Sequence, residues 1–386
     1  MRFLRTYKII VFIYSTVFIC FGQTDQSISI EEKIEGLLIG SAIGDAAGGP
    51  VEFIHPPLRS YWTESDRTIT AEGIQALADS FKLRSYLKKA EPFAQWENYG
   101  PPGTVTDDTR FKIILFNTLK YNEGRLTENN FAQEVLNFRD RLPAKYKSWY
   151  DKWMPEINYS TYWVLGDKVK GRPLSRIWGG IPTMAGQMPF LPIVALYPDD
   201  AEKAYLKTWE LGYIDTGFAK DINAALVAGL VGALQPHSDW QLVEKYMRGT
   251  DPYNFNNVLY VPRRSNEWLD IAHGIVQRAN GRISKLFDLL ETELQTKTWW
   301  EAWVPVVVVF ACAEIVDYHP LAGMQLILEF GHDTDSYAQV MGAVMGAIHG
   351  KNIFPSKIRT TVNEKMKEQF GQNIDDWMVL IKKNKK

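Results

Sequence analysis

Glycine recurs at every fourth residue at Gly36, Gly40 and Gly44, and again at Gly342, Gly346 and Gly350. Residues four apart share one face of an α-helix. A glycine inside a helix costs about 1 kcal/mol relative to alanine, so three on one face imply a neighbouring backbone too close for a side chain. Two such stripes predict two closely packed helices, each the simplest partner for the other. The first lies in "SISIEEKIEGLLIGSAIGDAAGGPVEF". It opens on a capping-box pattern, Ser29 with Glu32 three residues on, and carries Ile34, Leu37, Leu38 and Ala42 at helical spacing. The second lies in "HDTDSYAQVMGAVMGAIHG". Each stripe has carboxylates at one end: Asp45 and Glu52 after the first, Asp333 and Asp335 before the second.

Further helical patterns cover "TRFKIILFNTLKYN", "AKDINAALVAGLVGAL" and "VPVVVVFACAEIVDY". The last is valine-rich, but its length and its Ala-Cys-Ala-Glu continuation favour a buried helix, too short and too charged to span a membrane. Hairpin dipeptides between alternating strands and a βαβ rhythm are both missing. The expectation is an all-α fold, a compact helical bundle with long irregular loops, forming one domain over residues 29–386. Two stretches read as irregular: residues 54–102, with a helix across "GIQALADSFKLRSYLKK", and residues 145–183. Both are aromatic, in a chain with 13 tryptophans. Core packing is the default for any one of these, and a stacking platform for sugars or bases is the alternative.

With 46% hydrophobic and 23% charged residues the chain is globular rather than disordered, and a net charge of -2 excludes a nucleic-acid binder that works by bulk charge. Residues 1–22 read as a secretory signal peptide: Arg2, Arg5 and Lys8, an apolar run from Ile9 to Phe21, and small residues Cys20 and Gly22 before the cut. An exported protein, periplasmic or secreted, is expected, with no membrane span after cleavage; a retained membrane anchor is the alternative reading. Cys312 would then be the remaining cysteine. It cannot form an internal disulfide, and its apolar surroundings predict a buried, inert thiol.

The chemistry-bearing residues are acidic. "GTVTDDTR" offers Thr106, Asp107 and Asp108, and "GHDTDS" offers Asp333, Asp335 and Ser336. Each cluster alone reads as a helix start, where carboxylates cap free N–H groups. Together they would repel one another without a counter-charge, and two hard divalent cations would supply it. No Cys/His cluster of zinc type is present, and His332 reads as a neighbour of the site rather than a ligand.

In that order, "GLLIGSAIGDAAGGPVEF", "GTVTDDT" and "GHDTDSYAQVMGAVMGAIHG" resemble the ADP-ribosylglycohydrolase family, over roughly residues 30–352. The resemblance implies an all-α orthogonal bundle with a centre of two Mg²⁺ or Mn²⁺ ions. It also implies cleavage of the N- or O-glycosidic bond that joins ADP-ribose to a side chain or small molecule. The substrate partner would be an ADP-ribosylated protein or a small ADP-ribosyl conjugate. Carried over by position, Thr106, Asp107 and Asp108 form one group of metal ligands and Asp333, Asp335 and Ser336 the other. Glu52 and Asp108 take the catalytic roles, and Asp45 a supporting one. Departures from the family pattern are Ser336 in place of threonine, Gly331-His332 in place of two glycines, "YIDTGFAKD" where a Thr-His pair is common, and a long segment between Glu52 and Thr106. They bear on the substrate more than on the metals. An exported glycosidase acting on another glycoside, and a binding protein without turnover, are the alternatives.

Overall fold

The computed structural model describes residues 28–385 except 56, 87–99, 143, 145, 146, 148, 149, 152, 153, 295 and 297. The proposed leader, residues 1–22, lies outside the described residues. The fold is all-α: the described residues form helices and loops, with two isolated β-bridges, Thr68 to Arg282 and Thr183 to Glu301. No helix among them is long and apolar enough to cross a membrane.

Six helices position the site: α1 (Ile30–Gly48), α2 (Asp107–Tyr121), α3 (Ala219–Leu234), α4 (Trp303–Ile315), α5 (Pro320–Phe330) and α6 (Thr334–His349). Ser29 caps α1 with the predicted box: its Oγ accepts from the Glu32 N–H, and the Glu32 carboxylate accepts from the Ser29 N–H at 3.2 Å. The glycine stripes then meet. A Cβ built on Gly40 would strike the Gly342 carbonyl, and one on Gly36 would strike that of Gly346; the clash is reciprocal from α6. So α1 and α6 pack backbone to backbone along their length. Gly350 lies just past α6, at φ +72°, and serves as its C-terminal stop.

α3 and α4 are buried on nearly every face, as their small-residue and valine runs predict, and both pack against α6. Cys312 is a free, buried thiol on α4, pushed above its ordinary pKa by burial. Two expectations are corrected. The helix read across residues 73–89 runs over Ala71–Ser80, after which Phe81 takes an extended conformation and is buried in the core; residues 87–89 lie outside the described residues. The stretch 145–183, read as irregular, contains a helix over Pro155–Val164, started by proline at its first position and held by buried Ile157.

Candidate metal centre

Three distant segments meet at one end of the α1–α6 pair. Asp45, in the last turn of α1, accepts from the Thr106 N–H (2.9 Å) and hydroxyl (2.5 Å) through Oδ1, and from the Thr109 N–H (3.0 Å) through Oδ2. Asp45 therefore holds the start of α2 against the end of α1, inside the helix rather than after it. Thr106 is the N-cap of α2 and its oxygen also accepts from the Asp108 N–H at 3.4 Å, which leaves that oxygen one free lone pair. Asp107 and Asp108 form the first turn, where unpaired N–H groups and the helix dipole favour negative charge.

The second segment is the turn into α6. α5 ends at Gly331, with φ +95°, and His332 follows at φ +62°. These two left-handed residues reverse the chain so that α6 starts alongside α2. The Thr334 hydroxyl donates to the Gly48 carbonyl at 2.8 Å, tying the turn to the end of α1. The third segment is the 3-10 turn Gly49–Val51, which delivers Glu52. The Phe53 N–H donates to the His332 carbonyl at 2.9 Å and so fixes Glu52 beside the turn.

The result is one carboxylate cluster. Oxygens of Asp107, Asp108 and Asp335 lie within 4.8 Å of one another, and so do oxygens of Glu52, Asp333 and Asp335. Asp335 belongs to both trios. Ser336 donates its N–H to Asp335 Oδ1 (2.9 Å) and its hydroxyl to Asp108 Oδ2 (3.0 Å). His332 stands outside: its ring stacks on Trp299 at 3.6 Å and its Nε2 meets Glu291 at 2.6 Å.

Burial first and mutual repulsion second push the Glu52, Asp108 and Asp335 carboxyls well above the usual carboxylate range. Burial pushes Asp333 up to about 8, and raises Asp107 against the opposing pull of Arg110. Such a set holds its full negative charge near neutral pH only with cations among it. Two oxygen-only trios sharing one carboxylate fit two hard divalent ions.

The cluster floors a cavity of about 590 Å³. Met154, Met184, Met188, Trp178 and Trp300 form much of its apolar wall. Trp178 is held by its Nε1–H to the Ile214 carbonyl (2.9 Å) and its N–H to Glu156 (3.0 Å), while Arg172 donates to the other Glu156 oxygen at 2.9 Å. Met154 and Trp178 fall in the aromatic stretch 145–183, for which a stacking platform was the alternative to core packing; Met184, Met188 and Trp300 were not readable as part of a site. Nor was the pair behind the cluster: Lys112 Nζ donates to the Asp108 carbonyl (3.0 Å) and to Gln339 Oε1, and Gln339 Nε2 donates to Asp108 Oδ1. No sequence signal set Lys112 apart, because Arg110 stands two residues before it on the same helix.

A family model described as ADP-ribosylglycohydrolase matches residues 26–385. Among solved structures the chain is similar to an "ADP-ribosylglycohydrolase-related protein complex", with a TM-score of 0.55 at 14% identity, covering 93% of this chain and 99% of that one. At that identity the likeness speaks for the fold alone. No curated protein matches the sequence significantly.

Proposed function

The chain belongs to the ADP-ribosylglycohydrolase family, and we propose that it hydrolyses an N- or O-glycosidic bond of an ADP-ribosylated protein or a related ADP-ribosyl conjugate, using two divalent cations, Mg²⁺ or Mn²⁺. The observation that carries this reading is the pair of carboxylate trios joined through Asp335 on the floor of one cavity. Asp107, Asp108 and Asp335, with the Thr106 and Ser336 hydroxyls near them, would hold one ion; Glu52, Asp333 and Asp335 would hold the other. Bound there, the ions would supply Lewis acidity toward sugar hydroxyls and water and offset the carboxylate charge.

The chain's own residues do the rest. Departure of the leaving group builds positive charge on the sugar ring, and a floor of carboxylates stabilises a cation directly above it. Glu52 lies at the edge of the cluster and lines the cavity. A carboxylate in that place can take a proton from the reacting water or return one to the leaving oxygen. Asp108, gripped at both oxygens by Gln339 and Ser336, keeps one orientation throughout. The Trp178–Trp300–Met188 wall covers the sugar and restricts water to the floor.

The same apolar wall supports a second reading, a glycoside whose leaving group is not a nucleotide. The leader-like N-terminus fits an exported enzyme under either reading. A metal-supplemented activity screen with arginine-, serine- and O-acetyl-linked ADP-ribose beside simple ribosides and glucosides separates them. Release of ADP-ribose, lost on chelation, supports the first. Turnover confined to simple glycosides supports the second, and ADP-ribose binding with no turnover anywhere makes the chain a binding protein.

A further inference from the structure

Lys112 and Gln339 sit directly behind the carboxylate cluster, one on α2 and one on α6, with relative exposures of 1% and 0%. Lysine donates only and a carboxylate accepts only. That fixes the Gln339 amide between them, with Oε1 toward Lys112 and Nε2 toward Asp108. Both hydrogen-bond acceptors of the Lys112 ammonium among the described residues, the Asp108 carbonyl and the Gln339 amide, are neutral. A buried ammonium without a carboxylate in direct contact is costly. Burial lowers the Lys112 pKa to about 8 and the nearby Asp108, Asp45, Asp107 and Asp335 oppose that fall, so the ammonium keeps its charge at pH 7. Among the described residues Arg110 also acts on the cluster, and its pull falls on Asp107.

We propose that Lys112 is a resident cation of the metal centre: it holds the carboxylates together when no ion is bound, and it opposes the uptake of divalent ions, while Gln339 relays it to Asp108 and fixes that ligand's orientation. This rests on the metal reading given under Proposed function. The sign follows from charge. A buried positive group, unscreened by salt, attracts the carboxylates and repels an incoming dication. Gln339 acts differently, because it carries no charge and contributes only the orientation of Asp108 Oδ1. The two residues touch each other, yet their removal has opposite effects on ion uptake. A merely structural pair would move uptake in one direction.

The test uses the full chain, stripped with EDTA, at pH 7. Mn²⁺ binding is measured by calorimetry and thermal unfolding with and without Mn²⁺, for wild type, Lys112→Gln and Gln339→Leu. Lys112→Gln keeps a donor but not the charge. It is expected to unfold at a lower temperature in EDTA, to recover with Mn²⁺, and to bind Mn²⁺ on the order of tenfold more tightly. Gln339→Leu keeps the charge and is expected to bind more weakly. Equal or weaker binding by Lys112→Gln, or failure of that variant to fold even with Mn²⁺, overturns the proposal. So does Gln339→Leu binding as tightly as wild type. If wild type itself takes up no Mn²⁺, the metal reading falls and this one with it, so the two failures are told apart by the wild-type trace.

Discussion

Gly48 and Asp335 are in direct backbone contact: a methyl group on Gly48 would overlap the amide nitrogen and Cα of Asp335 and reach the Thr334 carbonyl. The last glycine of α1 thus sets the position of the carboxylate that both trios share. Gly48→Ala is expected to destabilise the fold by roughly 1–3 kcal/mol, the usual range for overpacking. It should also lower Mn²⁺ affinity at least several-fold, because the displaced atoms carry a ligand. Gly40→Ala, which strikes Gly342 in mid-helix, should destabilise as much without the same selective loss of metal. Unfolding temperatures and calorimetry on both variants check this.

Asp107→Ala and Asp333→Ala each remove one member of a different trio. Both should reduce hydrolysis by more than about 100-fold, the scale on which even the partners of metal ligands act. Stability should move the other way. Each deletion relieves repulsion among buried carboxylates, so the EDTA-treated variants should melt no lower than EDTA-treated wild type, while the gain on adding Mn²⁺ shrinks. Full activity in both variants would end the metal reading.

What could be read before the structure was known follows from how local each signal is. The glycine stripes announce themselves, because only backbone contact explains their cost, and they identified the α1–α6 pair. Asp107 and Asp333 stand at helix starts, where short motifs are legible. The cavity wall is different: Met154, Trp178, Met184 and Trp300 come from loops and short turns with no shared period, so only the fold brings them together. The end of the helix at Ser80 depended on Phe81 finding a core site, a tertiary preference that local propensity does not carry. Lys112 carried no local motif, and its role required Gln339 from a distant segment of the chain.

Ion uptake should depend on pH in a defined direction. Burial pushes Asp333 up to about 8, from an ordinary 3.8. Below that pH it holds a proton that an incoming cation must displace, so apparent Mn²⁺ affinity should fall as pH drops from 8, by up to about tenfold per unit for each proton released. The same shift acts on the metal-free fold. A carboxyl whose native pKa is raised contributes stability fully present below its unfolded pKa, and that contribution is lost as pH rises through the native value. EDTA-treated protein should therefore melt lower at pH 8.5 than at pH 6, and the rise in melting temperature on adding Mn²⁺ should be larger at pH 8.5. Parallel melts at the two values measure both effects, and a reversed trend would remove the crowded-carboxylate account.

Glu52→Gln, assayed at saturating Mn²⁺ so that a weakened ion ligand is compensated, separates proton transfer from ion binding. The amide keeps an oxygen toward Asp333 and Asp335 but cannot carry the proton. We expect kcat to fall by roughly 10²–10⁴-fold, the range for a lost acid–base group, with KM changed only a few-fold. The acidic limb of the pH–rate profile should also shift. An equal loss in kcat/KM from a raised KM alone would instead make Glu52 a binding residue.

Asp45 makes the converse case, a carboxylate whose place is structural. Its oxygens receive three hydrogens, from the Thr106 N–H and hydroxyl and the Thr109 N–H, and it is fully buried. Asp45→Asn turns one acceptor into a donor that faces the Thr106 or Thr109 hydrogens, leaving at least one buried donor unmatched. Unpaired buried groups cost about 1–3 kcal/mol each, so the unfolding temperature should drop with or without Mn²⁺. That distinguishes it from Asp107→Ala, whose stability loss appears only when metal is present. Asp45→Asn should also free the Thr106 hydroxyl to rotate, so the Asp108 N–H loses its fixed acceptor and the start of α2 loosens. Hydrogen exchange at the first turn of α2 should therefore speed up in Asp45→Asn and stay at the wild-type rate in Asp107→Ala; the same rate in all three proteins would assign the cap to another group.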